Sequence, residues 1–378
     1  MKTAAAALAA VTAAAVSLPP PAGAGGSAPA PHRADGAVQA HVLPLGAAHG
    51  LQPVPGGVRS APLVTRPYTM VALTWRGAAT PEVEVRTRTE GTWTDWHDLH
   101  LLTGPAADRS GTELLWAGRS DGVQVRLDGD AGRRTRIHLV DSATLPADVR
   151  SAGGRVGEAP SPDTVDATEA PQPQLRSRGD WGADESWRSG APVYNETIKQ
   201  AHVHHTATSG TYTRSEVPAL IRGLYFYHTQ VLGWSDLGYN FVVDRFGRIW
   251  EGRAGGVDRA VRGAHTLGFN HASFGVAALG EYDHTRPSPE LLRGLVRLSA
   301  WKLDAYDREP AGYARVRSEG SDRYPEGQWV RLPVIDGHRD TNETACPGER
   351  LYAELPEIRR RAQQRVDAVF TGSPSMLR

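Results

Sequence analysis

Alternation of apolar and polar residues marks the first structured region of the chain. From about Leu63 to Ser142, the runs VEVRTRTEGTWTDWHDL and VQVRLDG alternate the two kinds of residue, with Gly and Asp between the runs. A period of two is typical of strands that bury one face and are joined by tight turns. The pattern therefore predicts a small all-β domain, sandwich-like in architecture, over residues 61–145. Trp93 and Trp96 in this region are expected either to hold a sugar face or, more commonly, to pack in a core.

A second region mixes two periodicities. Its strand-like runs are Ala201–Thr206, Tyr239–Val243, Phe274–Leu279 and Val330–Ile335, and its helix-like runs are Ser215–Leu232, Pro289–Tyr306 and Glu354–Val369. Strands that alternate with helices indicate layers of helix and sheet. We expect an α/β domain with a mixed central β-sheet and flanking helices over residues 174–372.

The N-terminus has the layout of a secretory signal. One lysine precedes an apolar run of Ala, Val and Leu, which ends at prolines and at Ala22-Gly23-Ala24. The run is shorter than the roughly 20 residues that span a bilayer, which favours a cleaved signal peptide over a membrane anchor. We therefore predict a signal peptide over residues 1–24, secretion to the extracellular space or cell wall, and no membrane span after cleavage.

Two segments of low complexity separate these parts. Residues 25–60 are rich in Ala, Gly and Pro and are predicted to lack stable structure. Residues 146–173, rich in Pro, Ala and acidic side chains, are predicted to form an extended linker. Few contacts are expected to cross such a linker.

The charge balance of the chain limits the kinds of partner that we expect. The 42 Lys and Arg residues balance 42 Asp and Glu residues, so charge offers no argument for nucleic acid, and we expect none as a partner. We expect a monomer.

The lone cysteine, Cys346, cannot form an intrachain disulfide and is either a buried filler, a reactive thiol or a metal ligand.

Histidines near this cysteine suggest a metal site. His204 and His205 are adjacent on a predicted strand, so their side chains point to opposite faces. Two histidines, one of this pair and His338, with Cys346 fit a three-ligand zinc site that keeps a fourth position open for water. Pro347 suits the first position of a helix, whose N-terminus would favour a thiolate at Cys346. Spacing alone leaves ordinary surface or core histidines as the commoner interpretation.

Five ordered blocks carry a resemblance to a known family. The blocks are SRGDWGA (177–183), VHHTAT (203–208), GWSDLGYNFVVDRFGRIWEGR (233–253), GAHTLGFNHASFGVAALG (263–280) and GHRDTNETACPG (337–348). Through them, residues from about Leu175 to Val369 resemble the peptidoglycan recognition protein and type-2 N-acetylmuramoyl-L-alanine amidase family. Several long blocks in order are far more specific than one short motif.

The resemblance assigns roles to individual residues. It implies zinc ligands at His204, His338 and Cys346. It also implies catalytic roles for Tyr239, beside the metal-activated water, and for Thr344.

Three further residues resemble positions along the family's substrate groove. They are His228, His265 and Asn270. A buried structural histidine is an equal alternative for His228, and a turn cap is one for Asn270. Some family members carry a Gly-Trp pair where this chain has Ala254-Gly255-Gly256, which leaves the stem-peptide preference open. Residues 309–329 resemble an insertion before the closing block, which is expected either to line the groove or to cover it.

These roles imply zinc-dependent hydrolysis of the amide between N-acetylmuramic acid and L-alanine in peptidoglycan. The alternatives are a non-catalytic peptidoglycan-binding protein and a zinc hydrolase of other amides. Binding-only relatives lose the cysteine, whereas this chain keeps Cys346 and Tyr239. No HExxH motif marks a glutamate as general base, so the proton donor to the leaving amine stays open.

Overall fold

The computed structural model describes residues 37–46, 51–77, 79–102, 110–129, 133–152, 169–208 and 211–371. The predicted signal peptide and residues 153–168 of the predicted linker lie outside this range. None of the helices within it is long and apolar enough to cross a membrane.

The described residues between 37 and 152, called the β domain below, form antiparallel strands followed by one short helix. The strands are β1 (Val38–Pro44), β2 (Gln52–Val54), β3 (Gly57–Arg59), β4 (Leu63–Arg76), β5 (Glu82–Thr89), β6 (Thr92–Trp93), β7 (His97–Asp98), β8 (Ser110–Gly111), β9 (Leu115–Asp128) and β10 (Arg133–Ser142), and the helix is α1 (Pro146–Ala152). The main path of the sheet runs β1-β10-β4-β9-β3-β2, and β5 also pairs with β9. Alternate residues such as Val71, Leu73 and Val125 form its apolar core, as the period of two predicts.

The structure corrects the prediction for residues 25–60. Strand β1 pairs with β10 along its whole length, from Val38 opposite Ser142 to Pro44 opposite Arg136. Strands β2 and β3 form a hairpin that joins β9. The prediction of no stable structure was wrong for these strands. It was based on the Ala, Gly and Pro content, which does not show that short segments can pair with a long neighbouring strand.

The two tryptophans of the β domain have a local partner. The guanidinium of Arg86 lies 5.2 Å from the ring centroid of Trp93 and 5.1 Å from that of Trp96. Each ring therefore has a cation–π contact with the same side chain.

Residues 169–371, called the α/β domain below, contain a mixed sheet. Its strands are β11 (Leu175–Arg176), β12 (Gln200–His205), β13 (Phe241–Val243), β14 (Ile249–Glu251), β15 (Ser273–Ala278) and β18 (Ile335–Gly337), and a separate hairpin consists of β16 (Tyr313–Arg317) and β17 (Trp329–Pro333). The order is β11-β14-β13-β15-β12-β18, parallel except for the pair β13 and β14. This confirms the predicted fold class, a mixed α/β domain preceded by an all-β domain.

Helices cover both faces of this sheet. They are α2 (Val217–Phe226), α3 (Pro289–Asp304), α4 (Glu349–Tyr352) and α5 (Leu355–Thr371). Ser288 caps α3 by accepting from the Leu291 amide, and Pro289 follows at its first turn. Apolar side chains of β12, such as Val203, pack with α3 and α5 in one core. Val242 of β13 packs toward α2 on the opposite face.

Two predicted elements are divided. The helix predicted over Ser215–Leu232 is α2 followed by a π-helical turn, Tyr227–Val231. The strand predicted over Val330–Ile335 splits between β17 and β18. Both parts of each predicted element follow the apolar pattern. The pattern does not show where a helix changes its winding or where a strand leaves one sheet for another.

The β domain packs directly against α2. Met70, Ala72 and Val140 share an apolar core with Leu220 and Leu224. The Ser142 hydroxyl donates to the Ala219 carbonyl at 2.6 Å. Arg222 binds both carboxylate oxygens of Asp148 at 2.6 and 3.1 Å. The expectation of few contacts between the domains was therefore wrong, because alternation shows that a strand face is buried but not which partner buries it.

Candidate metal centre

Adjacent parallel strands bring the predicted ligands together. His204 lies near the carboxyl end of β12, and His338 directly follows β18, its neighbour in the sheet. Their ring centroids are 4.5 Å apart. Cys346 Sγ lies 3.7 Å from His204 Nδ1. One donor atom from each of these three buried residues lies within 4.8 Å of the others, so they form a compact N,N,S set.

Hydrogen bonds orient the His204 ring. His204 Nε2 lies 3.0 Å from His265 Nδ1 and 3.3 Å from Thr266 Oγ1, which leaves Nδ1 toward Cys346. Gly275 provides the space for His265, because a Cβ there would lie 2.4 Å from the His265 ring. Hydrogen bonds to the second nitrogen of a ligand histidine hold its orientation.

The environment of Cys346 differs from the prediction. The following helix, α4, begins at Glu349 rather than Pro347, and Gly348 is its cap. Cys346 therefore lies too far before the helix for the expected N-terminal stabilisation. Instead, the His205 amide donates to Cys346 Sγ at 3.4 Å.

The residues present fit zinc. Burial lowers the pKa of His204 well below its ordinary value and that of His338 to about 3, so both imidazoles are neutral, as ligands must be. Burial also raises the pKa of the Cys346 thiol. A buried thiol becomes a thiolate when a cation is close, and two imidazoles with one thiolate are a zinc ligand set.

The two predicted catalytic residues line the same cavity as two of the three candidate ligands. Tyr239 and Thr344 lie on its wall with His338 and Cys346. The Tyr239 ring centroid is 5.3 Å from that of His204. The Thr344 hydroxyl oxygen accepts from the Cys346 amide at 3.2 Å, so it also holds the loop that carries the thiol.

The three residues predicted to bind substrate make hydrogen bonds or ring contacts with other residues of the protein. His228 accepts from the Gly238 amide at 3.2 Å and stacks 4.5 Å from Trp234. His265 bonds the ligand His204. Asn270 Oδ1 accepts from the His265 amide at 3.0 Å and the Thr266 amide at 3.1 Å, as a turn cap does. The structure thus places His265 against a candidate ligand, Asn270 behind His265, and the His228 ring centroid 5.9 Å from that of Tyr239.

His205 faces the opposite side of β12. Its Nδ1 accepts from the Tyr282 amide at 3.3 Å, and its ring centroid lies 5.6 Å from that of His100 in the β domain. His100 Nε2 lies 3.3 Å from Asp283 Oδ2. These contacts join the β domain to the rim of the metal centre.

Four cavity residues come from the β domain, and sequence reasoning missed them. His100, Leu101, Leu102 and Glu113 line the cavity. Glu113 is buried, its Oε2 has no hydrogen-bond partner, and burial raises its pKa to about 8. The sequence held one signal for Glu113: its carboxylate directly precedes the apolar run Leu114-Leu115-Trp116, and charged side chains are rarely buried beside such runs.

Comparisons with known proteins identify relatives of both domains. Residues 194–349 match the family model described as N-acetylmuramoyl-L-alanine amidase, and residues 28–155 match that described as Rv3811 N-terminal galactose-binding domain-like. Peptidoglycan recognition protein 1 of Bos taurus is 30% identical over 193 residues, which cover 49% of this chain and 85% of that protein. Peptidoglycan-recognition protein SC1a of Drosophila melanogaster is 29% identical over 180 residues, 47% of this chain and 82% of that protein. The solved structure of wild-type Drosophila PGRP-LB has 26% identity and a TM-score of 0.38, and the match covers 48% of this chain and 92% of that one.

A mixed α/β fold with two histidines and one cysteine at a sheet edge defines the class of this protein. The chain belongs to the peptidoglycan recognition protein and type-2 N-acetylmuramoyl-L-alanine amidase family, as its sequence blocks predict.

Proposed function

We propose that this protein is a secreted, zinc-dependent N-acetylmuramoyl-L-alanine amidase that acts on peptidoglycan. One observation carries the proposal: donor atoms of His204, His338 and Cys346 converge, and Tyr239 and Thr344 line the same cavity as His338 and Cys346. A purely binding protein has no need of a complete ligand set beside a tyrosine hydroxyl.

The reaction is a hydrolysis of one amide. The bond between the lactyl carbonyl carbon and the nitrogen of L-alanine breaks, the hydroxyl of water goes to the carbon, and a proton goes to the nitrogen. When bound, zinc supplies a Lewis acid that activates water and polarises the carbonyl. His204 and His338 would hold it through neutral nitrogens and Cys346 through its sulfur, with His265 keeping the His204 ring in place.

Tyr239 is suited to stabilise the developing negative charge. Burial is the main cause that raises the pKa of its hydroxyl, so the group stays protonated and can donate a hydrogen bond. A donor that faces a developing oxyanion in a cavity shielded from water is a strong contributor to catalysis. Thr344 orients the Cys346 loop and offers a hydroxyl to the substrate. We infer that His228 and His265 shape the wall of the groove and that Asn270 holds the turn behind it.

The experiment is digestion of purified sacculi and soluble muropeptides by the zinc-loaded protein, followed by mass spectrometry. The proposal predicts free stem peptides that begin with L-alanine and glycans that keep intact N-acetylmuramic acid. Binding without release of either product would instead support a non-catalytic recognition protein. Cleavage at another bond would contradict both.

A further inference from the structure

The metal centre is covered by the β domain of the same chain. His100, Leu101, Leu102 and Glu113 of that domain line the cavity together with His338 and Cys346, and the volume of the cavity is about 10 Å³. Such a space holds about one water molecule. Sites for small organic ligands occupy about 300–1,000 Å³. A disaccharide with a peptide stem therefore has no room in this arrangement.

We propose that the β domain is an autoinhibitory cap, and that muropeptide reaches the metal centre only after the cap separates from α2. The inference rests on the proposed function for the identity of the substrate. It does not rest on hydrolysis, because the cap excludes a bound muropeptide as well as a reacting one.

Hydrogen bonds and one ion pair attach the cap to α2 and to the π-helical turn that follows it. The Tyr227 hydroxyl donates to the Thr112 carbonyl at 2.8 Å, and Thr112 directly precedes the cavity residue Glu113. From Tyr227 the interface continues along α2 to the Ser142–Ala219 hydrogen bond and the buried Arg222–Asp148 ion pair. Glu113 therefore cannot leave the cavity readily while α2 keeps its hold on the β domain.

Substitutions at one position of α2, Gly223, can be used either to open the cap or to lock it. A Cβ on Gly223 would lie 2.2 Å from Met70 Sδ and 3.5 Å from Ser142 Cβ, and the three atoms nearest to it all belong to the β domain. A large side chain at this position is thus a wedge against the cap. The distance to Ser142 Cβ is also within the range of about 3.5–4.5 Å that disulfides require, and the flexible end of Met70 can shift to make room.

The opened protein is the full chain with Gly223→Arg, and the locked protein is the full chain with Gly223→Cys and Ser142→Cys, oxidised after zinc loading. The two single cysteine variants and the reduced double variant are the controls. Calorimetry measures binding of a soluble disaccharide-tetrapeptide muropeptide, and chromatography measures its hydrolysis. We expect binding to the opened protein to be at least about tenfold tighter than to the locked protein, with reduction of the disulfide restoring the affinity.

Each outcome decides between the cap and its alternatives. Equal affinity of the oxidised and reduced double variant overturns the cap. Weaker binding by Gly223→Arg, with its zinc content and circular dichroism unchanged, means instead that the β domain completes the binding site. If Gly223→Arg fails to fold, the comparison of oxidised with reduced protein still decides. Tighter binding by the opened protein without hydrolysis supports the cap and contradicts the proposed amidase function.

Discussion

At the scale of single residues, burial controls the protonation of the metal centre. Burial lowers the pKa of His204 and of His338, and raises that of Cys346. All three groups are therefore neutral without a cation. A cation changes only the thiol, which must lose its proton to bind, so zinc binding releases a proton and weakens at low pH.

Replacing the sulfur tests the ligand set. Cys346→Ser substitutes a hydroxyl, a poor donor to zinc, for a thiolate. Loss of residues that merely orient ligands already costs about 10–100-fold in affinity, so we expect at least about a 100-fold loss here. Titration against a competing chelator measures it, with exposed His97→Ala as the control. Unchanged affinity would remove Cys346 from the site.

Removing one hydroxyl tests the role of Tyr239. Tyr239→Phe keeps the buried ring and deletes the donor, so kcat should fall by about 10²-fold or more while zinc content stays the same. Tyr313→Phe is the matched control, because the Tyr313 side chain is 59% exposed and lies on the β16 hairpin. A kcat equal to that of wild type would make Tyr239 a packing residue.

At the scale of elements, strand β12 separates two adjacent histidines. His204 faces His265 and the other ligands, whereas His205 faces Tyr282 and His100. The parallel pairing of β12 with β18 then brings His338 to the same edge of the sheet. The alternation of a strand thus decides which histidine is available to the metal.

Separate alanine substitutions of His204 and His205 test which of the two side chains points toward the metal. His204→Ala should abolish zinc binding and hydrolysis, because a ligand is lost. His205→Ala should keep zinc bound, because the contact of His205 with Cys346 Sγ is made by its backbone amide. Metal analysis of the two purified variants gives the result. Zinc lost from the His205 variant alone would reverse the assignment.

At the scale of the whole molecule, the two domains form one folded body while the β domain is packed on α2. Arg222 and Asp148 are 1% and 3% exposed and pair across the interface. A guanidinium buried on α2 thus depends on a carboxylate from the β domain. The unfolding of the α/β domain should therefore be coupled to that of the β domain.

Breaking this pair tests the coupling. Asp148→Ala leaves the Arg222 charge buried without its carboxylate, which should lower the free energy of unfolding by about 3–5 kcal/mol. Glu290→Ala removes the carboxylate of an exposed pair with Arg293 and should change it by less than about 1 kcal/mol. Urea unfolding, followed separately in each domain, measures both. Independent transitions in the wild-type protein would contradict a single folded body.

The sequence by itself determined the local features of this protein. Periodicity predicted several strands of each domain, among them β5, β12 and β15, and the helices α2, α3 and α5, because burial of one face repeats every two or every 3.6 residues. The ordered blocks identified the family. The types of the candidate ligands, and the opposite facing of His204 and His205, also followed from the residues alone.

The tertiary structure decided which surfaces meet. No local pattern reports that β1 pairs with β10, that Val330–Ile335 divides between two sheets, or that α4 begins at Glu349. Nor does one report that Glu113, 91 residues before His204 in the chain, lies in the cavity of the ligands. The physical reason is that apolar burial is non-directional: it requires that a face be covered, and only the packing of the whole chain selects what covers it.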